Sequence, residues 1–327
     1  MIITRTPFRI SFFGGGTDFP EWYNKNGGSV LSTTIDKYCY ISCRRLPPFF
    51  EYKHRIVYSK YEQVNKIDEI VHPAVREVFR FMDIKEGLEI HHDGDLPARS
   101  GLGSSSSFTV GLLNTLYALK GKMVTKKKLA LDAIYVEQEM IKENVGSQDQ
   151  VAVAYGGINK ISFSGKHDIE VTPVTLTNKR VEDFENHLML FFTGFSRMAS
   201  EIEADKIKNI GRNKKELSTM QAMVDEAIYI LSENRDFEGF GELLHECWKI
   251  KKRLSHKVTT AFVDEIYETA MKNGAIGGKL LGAGGGGFIL FFVKPEKRDS
   301  LKKSLSSLLH VPFAFDNTGS QIIYYNE

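Results

Sequence analysis

Residues 3–13 and 29–44 are rich in β-branched and aromatic side chains, and the first run stops at Gly14-Gly15-Gly16. Both read as strands bounded by turn residues. Residues 88–92 alternate as a third strand before the turn at Asp93-Gly94, and a helix is expected near 73–82. The period then changes. Phe108, Leu112, Leu116 and Leu119 recur at helical spacing over 104–119, with Gly121 placed as a helix-ending glycine. Leu129, Ala133, Val136 and Met140 mark a second helix over 129–141, although Lys126, Lys127 and Lys128 at its start oppose the helix dipole and read as solvated. Strands follow at 158–164 and 188–193, then helices at about 201–210, 216–233, 238–254 and 261–273. The continuous apolar run 288–293 is a strand, Pro295 opens a last helix, and 321–325 is a last strand. Strands and helices so interspersed predict an α+β architecture. Polar interruptions at 165–168 and 177–180 suggest two domains, over residues 1–170 and 171–327.

Length supports that division, since 327 residues suffice for about two domains at roughly 100–200 residues each. Charge gives no reason to expect a nucleic-acid or membrane-surface partner, because 43 Lys and Arg stand against 41 Asp and Glu. Cys39, Cys43 and Cys247 form no CxxC pair and are odd in number, which argues against a disulfide scaffold or a cysteine zinc site and for a reducing cytoplasm. No apolar run is long enough to span a bilayer, and the first residues lack the layout of a signal peptide.

Four segments carry candidate chemistry. In 96–108 a Gly/Ser loop, Ser100-Gly101-Leu102-Gly103-Ser104-Ser105-Ser106-Ser107, leads straight into a helix. Glycines admit a ligand close to the backbone, the first-turn N–H groups are unpaired, and the serines add donors, so the segment reads as a phosphate cradle. It lacks GxxxxGK[ST] and is not a Walker loop, and a plain flexible linker would not feed an amphipathic helix. In 7–19, Arg9 lies in a strand and Asp18 follows the triple glycine. By itself this is either a hairpin with a solvated acid or a carboxylate presented to ligand hydroxyls. In 282–287 the glycines match GxGxxG, but a strand follows where a dinucleotide fold needs a helix. In 137–150, Glu137 precedes a helix break and Asp149 follows it; these are solvated helix-end acids, or a Mg²⁺ ligand and a base. His91 and His92 point to opposite faces of one strand, and Lys249, Lys251, Lys252 and Arg253 read as a solvated helix face.

Taken together and in order, residues 7–19, 96–108 and 279–288 resemble the three motifs of the GHMP kinases, a family of small-molecule kinases. The resemblance implies an N-terminal domain like ribosomal protein S5 domain 2, a ferredoxin-like C-terminal domain, and a cleft between them. It implies ATP held by Pro97, Arg99, Ser100, Gly101, Leu102, Gly103, Ser104, Ser105, Ser106 and Ser107, and Mg²⁺ held by Ser105 and Glu137, with Glu139 as the fallback. Asp149 matches the catalytic aspartate and Arg9 the arginine that steadies it. Gly15, Gly16, Thr17, Asp18, Gly284, Gly285 and Arg197 match positions facing the acceptor.

The galactose branch of the family carries Glu-His before Thr-Asp, where this chain has Gly15-Gly16. That departure, with the serine-rich cradle and Thr193-Gly-x-Ser-Arg197, looks most like the branch that phosphorylates the anomeric hydroxyl of a heptose 7-phosphate. The implied partners are a sugar phosphate and ATP, with the oligomeric state left open. Another anomeric sugar kinase, or a non-catalytic sugar or nucleotide binder on the same scaffold, stays as an alternative.

Overall fold

The structure, a computed structural model, describes the whole chain except residues 99, 166–167, 195–198, 234–235 and 327, and only the backbone of 199–200. Arg99 and Arg197 therefore lie outside the described residues. In chain order the elements begin β1 (Ile2–Phe13), α1 (Pro20–Asn26), β2 (Gly28–Arg45), β3 (His54–Val57), β4 (Tyr61–Val64), α2 (Pro73–Phe81) and β5 (Leu88–Gly94). They continue with α3 (Ser104–Leu119), α4 (Lys126–Tyr135), a π-helical turn at Val136–Met140, α5 (Gln148–Tyr155), β6 (Asn159–Gly165), β7 (Asp168–Pro173), α6 (Asn178–Glu185) and β8 (Leu188–Phe192). The remainder is α7 (Ala199–Lys208), α8 (Lys214–Ser232), α9 (Glu238–Leu254), α10 (Ala261–Lys272), β9 (Ala275–Leu280), β10 (Phe288–Val293), α11 (Arg298–Ser304), β11 (Leu309–Val311), β12 (Phe315–Asp316) and β13 (Gln321–Tyr325).

These elements make an α+β fold with two sheets. The larger runs β13-β1-β2-β5-β3-β4, with β6, β7 and β12 joining through the first half of β2. The smaller is antiparallel, in the order β11-β8-β10-β9. β1 and β2 pair along nearly their whole length, with register shifts at Pro7/Phe8 and Ser11/Phe13. Pro7 has no N–H to give the ladder, so a bulge beside it is expected. The last two strands return to the larger sheet, β13 beside β1 and β12 beside β2.

α3 packs against the larger sheet, and its buried residues run from Ser106 to Leu119 on nearly every face. The helix is thus a core element. Phe12, Phe13, Phe184, Phe237, Phe240, Phe292 and Phe315 meet in one aromatic cluster that joins β1 to the C-terminal half. α9 lies directly on β9. A Cβ on Gly277 would fall 2.0 Å from the Gly241 carbonyl oxygen, so only glycine permits that approach.

Several elements differ from the sequence expectation. α4 starts at Lys126, three residues before the apolar stripe, because the Thr125 hydroxyl caps it by accepting from the Lys128 N–H (3.1 Å). Lys126 Nζ meanwhile donates to the Tyr155 and Thr318 carbonyls (2.6 and 3.1 Å). The polar stretch near 177–180 is the capped start of α6, with Thr177 as its N-cap. Among the described residues, no helix is long and apolar enough to cross a membrane.

Candidate functional site

One cleft of about 580 Å³ is lined by residues of both halves of the chain. At its floor β1 presents Arg9. The Arg9 backbone N–H donates to the Leu102 carbonyl (3.0 Å) and Nη1 donates to the Gly101 carbonyl (2.7 Å). Nε and Nη2 donate to Asp149 Oδ1 and Oδ2 (2.7 and 2.6 Å), a bidentate fork with the arginine buried. Gly103 begins α3 in the left-handed region (φ 74°). A Cβ there would approach Arg9 Cγ to 3.1 Å and Asp149 Oδ2 to 3.4 Å.

The N-terminus of α3 opens on the cleft. Gly101, Gly103, Ser104 and Ser105 line it, and the first-turn N–H groups have no intrahelical acceptor. The rest of the expected cradle builds the loop from behind. The Ser100 hydroxyl donates to the Pro97 carbonyl (2.7 Å), Leu102 is buried, and the Ser107 hydroxyl contacts the Pro7 carbonyl (2.9 Å). Ser106, not Ser105, touches Glu137, donating to Oε2 at 2.9 Å, and Gln150 Nε2 donates to the same oxygen.

Glu137 sits on the π-helical turn and is wholly buried. Burial pushes its carboxyl up to about 7. Its Oε1 has no hydrogen-bond partner, and the neighbouring Thr109 hydroxyl donates instead to the Ser105 carbonyl (3.2 Å). A buried carboxylate oxygen without a donor, with the Ser106 hydroxyl and the Gln150 amide on its sister oxygen, can supply an oxygen ligand to a hard divalent cation, and Glu137 lies behind the residues that line the cleft. Among the described residues, no three His, Cys, Asp or Glu side chains gather to hold a metal by themselves. Glu139, two residues on, is exposed.

Across the floor, the triple-glycine turn delivers Asp18. Oδ1 accepts from the Gly16 N–H (2.9 Å) and Oδ2 from the Gln148 N–H (3.4 Å). Asp18 is 2% exposed, and burial, with the nearby charge of Asp149 second, pushes its carboxyl up to about 6. Gly146 is required here, since a Cβ would sit 1.9 Å from Asp18 Oδ2. Gly15 and Gly16 line the cleft, while the Thr17 hydroxyl turns inward onto the Gly14 and Ser29 carbonyls (2.7 and 2.9 Å) and pins the turn.

The third glycine segment leans on the first cradle by bare backbone. A Cβ on Gly282 would meet Gly101 Cα at 2.4 Å, and one on Gly287 the Ser100 carbonyl oxygen at 2.3 Å. The Phe288 N–H donates to the Ser100 carbonyl (3.1 Å). Gly282 and Ala283 face the cleft, whereas Gly284 and Gly285 close on Val258, with the Gly285 N–H on its carbonyl (3.0 Å).

Exposed Lys142 lines the cleft from the N-terminal half, and three more lysines that motif reasoning missed, Lys206, Lys251 and Lys279, complete the wall. Lys251 is buried and its Nζ donates to the Leu280 and Gly282 carbonyls (2.7 Å each), so the basic run 249–253 is not uniformly solvated. Lys279 is also buried, with Nζ on the Phe12 carbonyl (2.7 Å). Lys206 pairs with Glu203 at 3.2 Å. The available signal was helical spacing: Lys251 stands four residues after Cys247 and three before Leu254, on the buried apolar stripe of α9.

A helix start with open N–H groups, an Arg-held aspartate and a second, buried acid thus meet in one cleft. The family models for the GHMP kinases N-terminal domain and C-terminal domain match residues 68–157 and 226–310. The chain is 31% identical to D-glycero-alpha-D-manno-heptose 7-phosphate kinase of Campylobacter jejuni, covering 93% of each. It is 27% identical to a galactokinase of Thermococcus kodakarensis, covering 93% of this chain and 92% of that one. The crystal structure of a D-glycero-D-manno-heptose 1-phosphate kinase from Bacteroides thetaiotaomicron superposes with a TM-score of 0.81 over 100% of both chains, at 21% identity. The chain belongs to the GHMP kinases and is a phosphotransferase with an alcohol group as acceptor.

Proposed function

We propose that the protein transfers the γ-phosphoryl group of ATP to the anomeric hydroxyl of D-glycero-D-manno-heptose 7-phosphate, giving the 1,7-bisphosphate. The reaction would serve nucleotide-activated heptose synthesis for surface polysaccharide in the cytoplasm. The observation that carries the chemistry is the Arg9–Asp149 fork, set between the open start of α3 and Asp18 in one cleft. The substrate follows from the Campylobacter relative, which shares this scaffold over 93% of its length.

In this reading Asp149 accepts or orients the proton of the attacking hydroxyl, and Arg9 fixes both carboxylate oxygens in position for it. Asp18 reads ring hydroxyls from the opposite side of the floor. The N–H groups and hydroxyls of 101–105 meet the negative charge of the phosphates, which suits a reaction that needs positioning and electrostatics above all. Ser105 and Glu137 would hold Mg²⁺, which when bound neutralises charge on the β- and γ-phosphates. The galactokinase relative favours a second reading, a plain anomeric sugar kinase, but Gly15 and Gly16 remove the Glu-His pair that accompanies galactose. ADP release measured across heptose 7-phosphate, heptose, galactose and fucose decides between them. Preference for heptose 7-phosphate is expected; turnover of galactose or fucose above it would overturn the assignment.

A further inference from the structure

Cations as buried as Lys251 (6% exposed) and Lys279 (3%) are normally each matched by a carboxylate. Here Arg9 is matched by Asp149 and Lys206 by Glu203. Lys251 and Lys279 make no ion pair among the described residues; their described hydrogen bonds go to backbone carbonyls, and Lys251 Nζ also lies over the Trp248 ring, 5.9 Å from its centroid. Lys251 spends two of its three N–H groups on those carbonyls and Lys279 one of three, leaving donors over. All three lysines line the same cleft. Burial, then mutual repulsion, lowers the proton affinity of Lys251, with Lys206 and Lys279 the repelling groups. Glu203, which lines the same cleft with one oxygen unpartnered, attracts Lys251 without forming an ion pair with it. Two desolvated lysines without a salt-bridged carboxylate, beside the Lys206–Glu203 pair and with unused donors, are complementary to a bound anion.

We propose that Lys206, Lys251 and Lys279 anchor the acceptor's own phosphate, the group already present on the sugar before transfer. This rests on the sugar-phosphate reading above. The donor's phosphates have their own site in the amides and hydroxyls at the start of α3, whereas the lysines come from α7, α9 and β9 of the C-terminal half. The cluster thus supplies what a plain sugar would not need. It also links acceptor to donor site, because Lys251 holds the Gly282 carbonyl of the glycine loop that rests on Gly101.

Lys206 is the diagnostic residue, since its only described hydrogen bond is to Glu203 and no loop hangs on it. Lys206→Gln is compared with wild type for kcat/KM on heptose 7-phosphate and on unphosphorylated heptose, for KM of ATP, and for calorimetric binding of heptose 7-phosphate without ATP. A lost charge-assisted contact predicts that preference for the phosphorylated sugar narrows by about 10- to 100-fold, through KM, with the calorimetric Kd rising by the same factor. Lys206→Arg should recover most of it, and Lys279→Gln gives an independent second reading. An unchanged preference in both charge-removing variants overturns the anchor alone. A rise in the KM of ATP of that size overturns it by assigning the lysines to the donor. A wild type that uses both sugars equally sinks the substrate reading, and the anchor with it.

Discussion

Replacing Asp18 by Asn should make the protein more stable at neutral pH, by an amount that grows with pH over a defined window. The folded carboxyl is pushed up to about 6 from an ordinary value of 3.8, chiefly by burial. Below about pH 4 the group is protonated in folded and unfolded chains alike and contributes nothing. Between those values the unfolded chain gives up its proton while the folded one keeps it, so each pH unit costs the folded state about 1.4 kcal/mol. Above pH 6 both forms are ionised and the cost levels off. Two units of displacement give about 3 kcal/mol. Asn retains an acceptor for the Gly16 N–H but gives up the longer Gln148 contact (3.4 Å), a loss that does not vary with pH, so the pH-dependent part of the difference is the removed cost. Chemical denaturation of wild type and Asp18→Asn at half-unit steps from pH 4 to 8 reads the difference directly. The curves should separate between pH 4 and 6 and run parallel above. Curves parallel throughout would refute the buried, desolvated state of Asp18. In the proposed reading Asp18 meets the acceptor, so catalysis should fall in the same variant.

Asp149→Asn should lower turnover by roughly 10²–10⁴-fold with ATP affinity little changed, read by ADP release and nucleotide binding; near-normal turnover in the folded variant would sink the base assignment. Ser105→Ala and Glu137→Ala should raise the Mg²⁺ concentration giving half-maximal rate, and exposed Glu139→Ala should not. A larger effect at Glu139 would move the metal ligand by two residues. Gly282→Ala places a methyl where Gly101 Cα already lies, at a φ of 68° that disfavours a side chain. It should cost about 1–3 kcal/mol of stability and weaken ATP binding, and unchanged nucleotide affinity would show that the two glycine loops are independent.

The parts of this molecule legible in sequence are those where local chemistry is decisive. β1 and α3 are dense in β-branched and in helix-spaced apolar residues respectively, and Gly14, Gly101, Gly282 and Gly287 occupy positions where neighbouring backbone leaves no room for a Cβ. Arg9, Asp18 and Asp149 follow from their motifs, and the cleft brings them together. What stayed hidden depends on distant packing. Ser106 rather than Ser105 meets Glu137 because the π-helical turn rotates that side chain inward, and nothing in residues 136–140 announces a π turn. α6 was concealed because it buries one side chain, Phe184. Lys251 reads as one of four basic residues in a row of five, although it shares the buried face of α9 with Cys247 and Leu254, and where its amine ends depends on the carbonyls of residues 280 and 282 that β9 and the glycine loop bring beside it.

The return of β13 to the edge of β1 has a consequence for how the chain is made. Ile2 pairs with Tyr325 and Arg5 with Gln321, so β1 waits for a strand made more than 300 residues after it. At typical elongation rates of about 5–20 residues per second, that delay is on the order of tens of seconds. Throughout it the free edge of β1 offers unpaired N–H and C=O groups to any other nascent strand. The ladder it finally forms is among the least local in the molecule, and such contacts form slowly. Thr6, Asn114 and Lys126 hold the incoming segment through Ser320 and Thr318, fastening it onto a sheet and helix that are already in place. Synthesis that stalls before residue 320 therefore leaves the larger sheet with an open, aggregation-prone side, whatever the state of the active site.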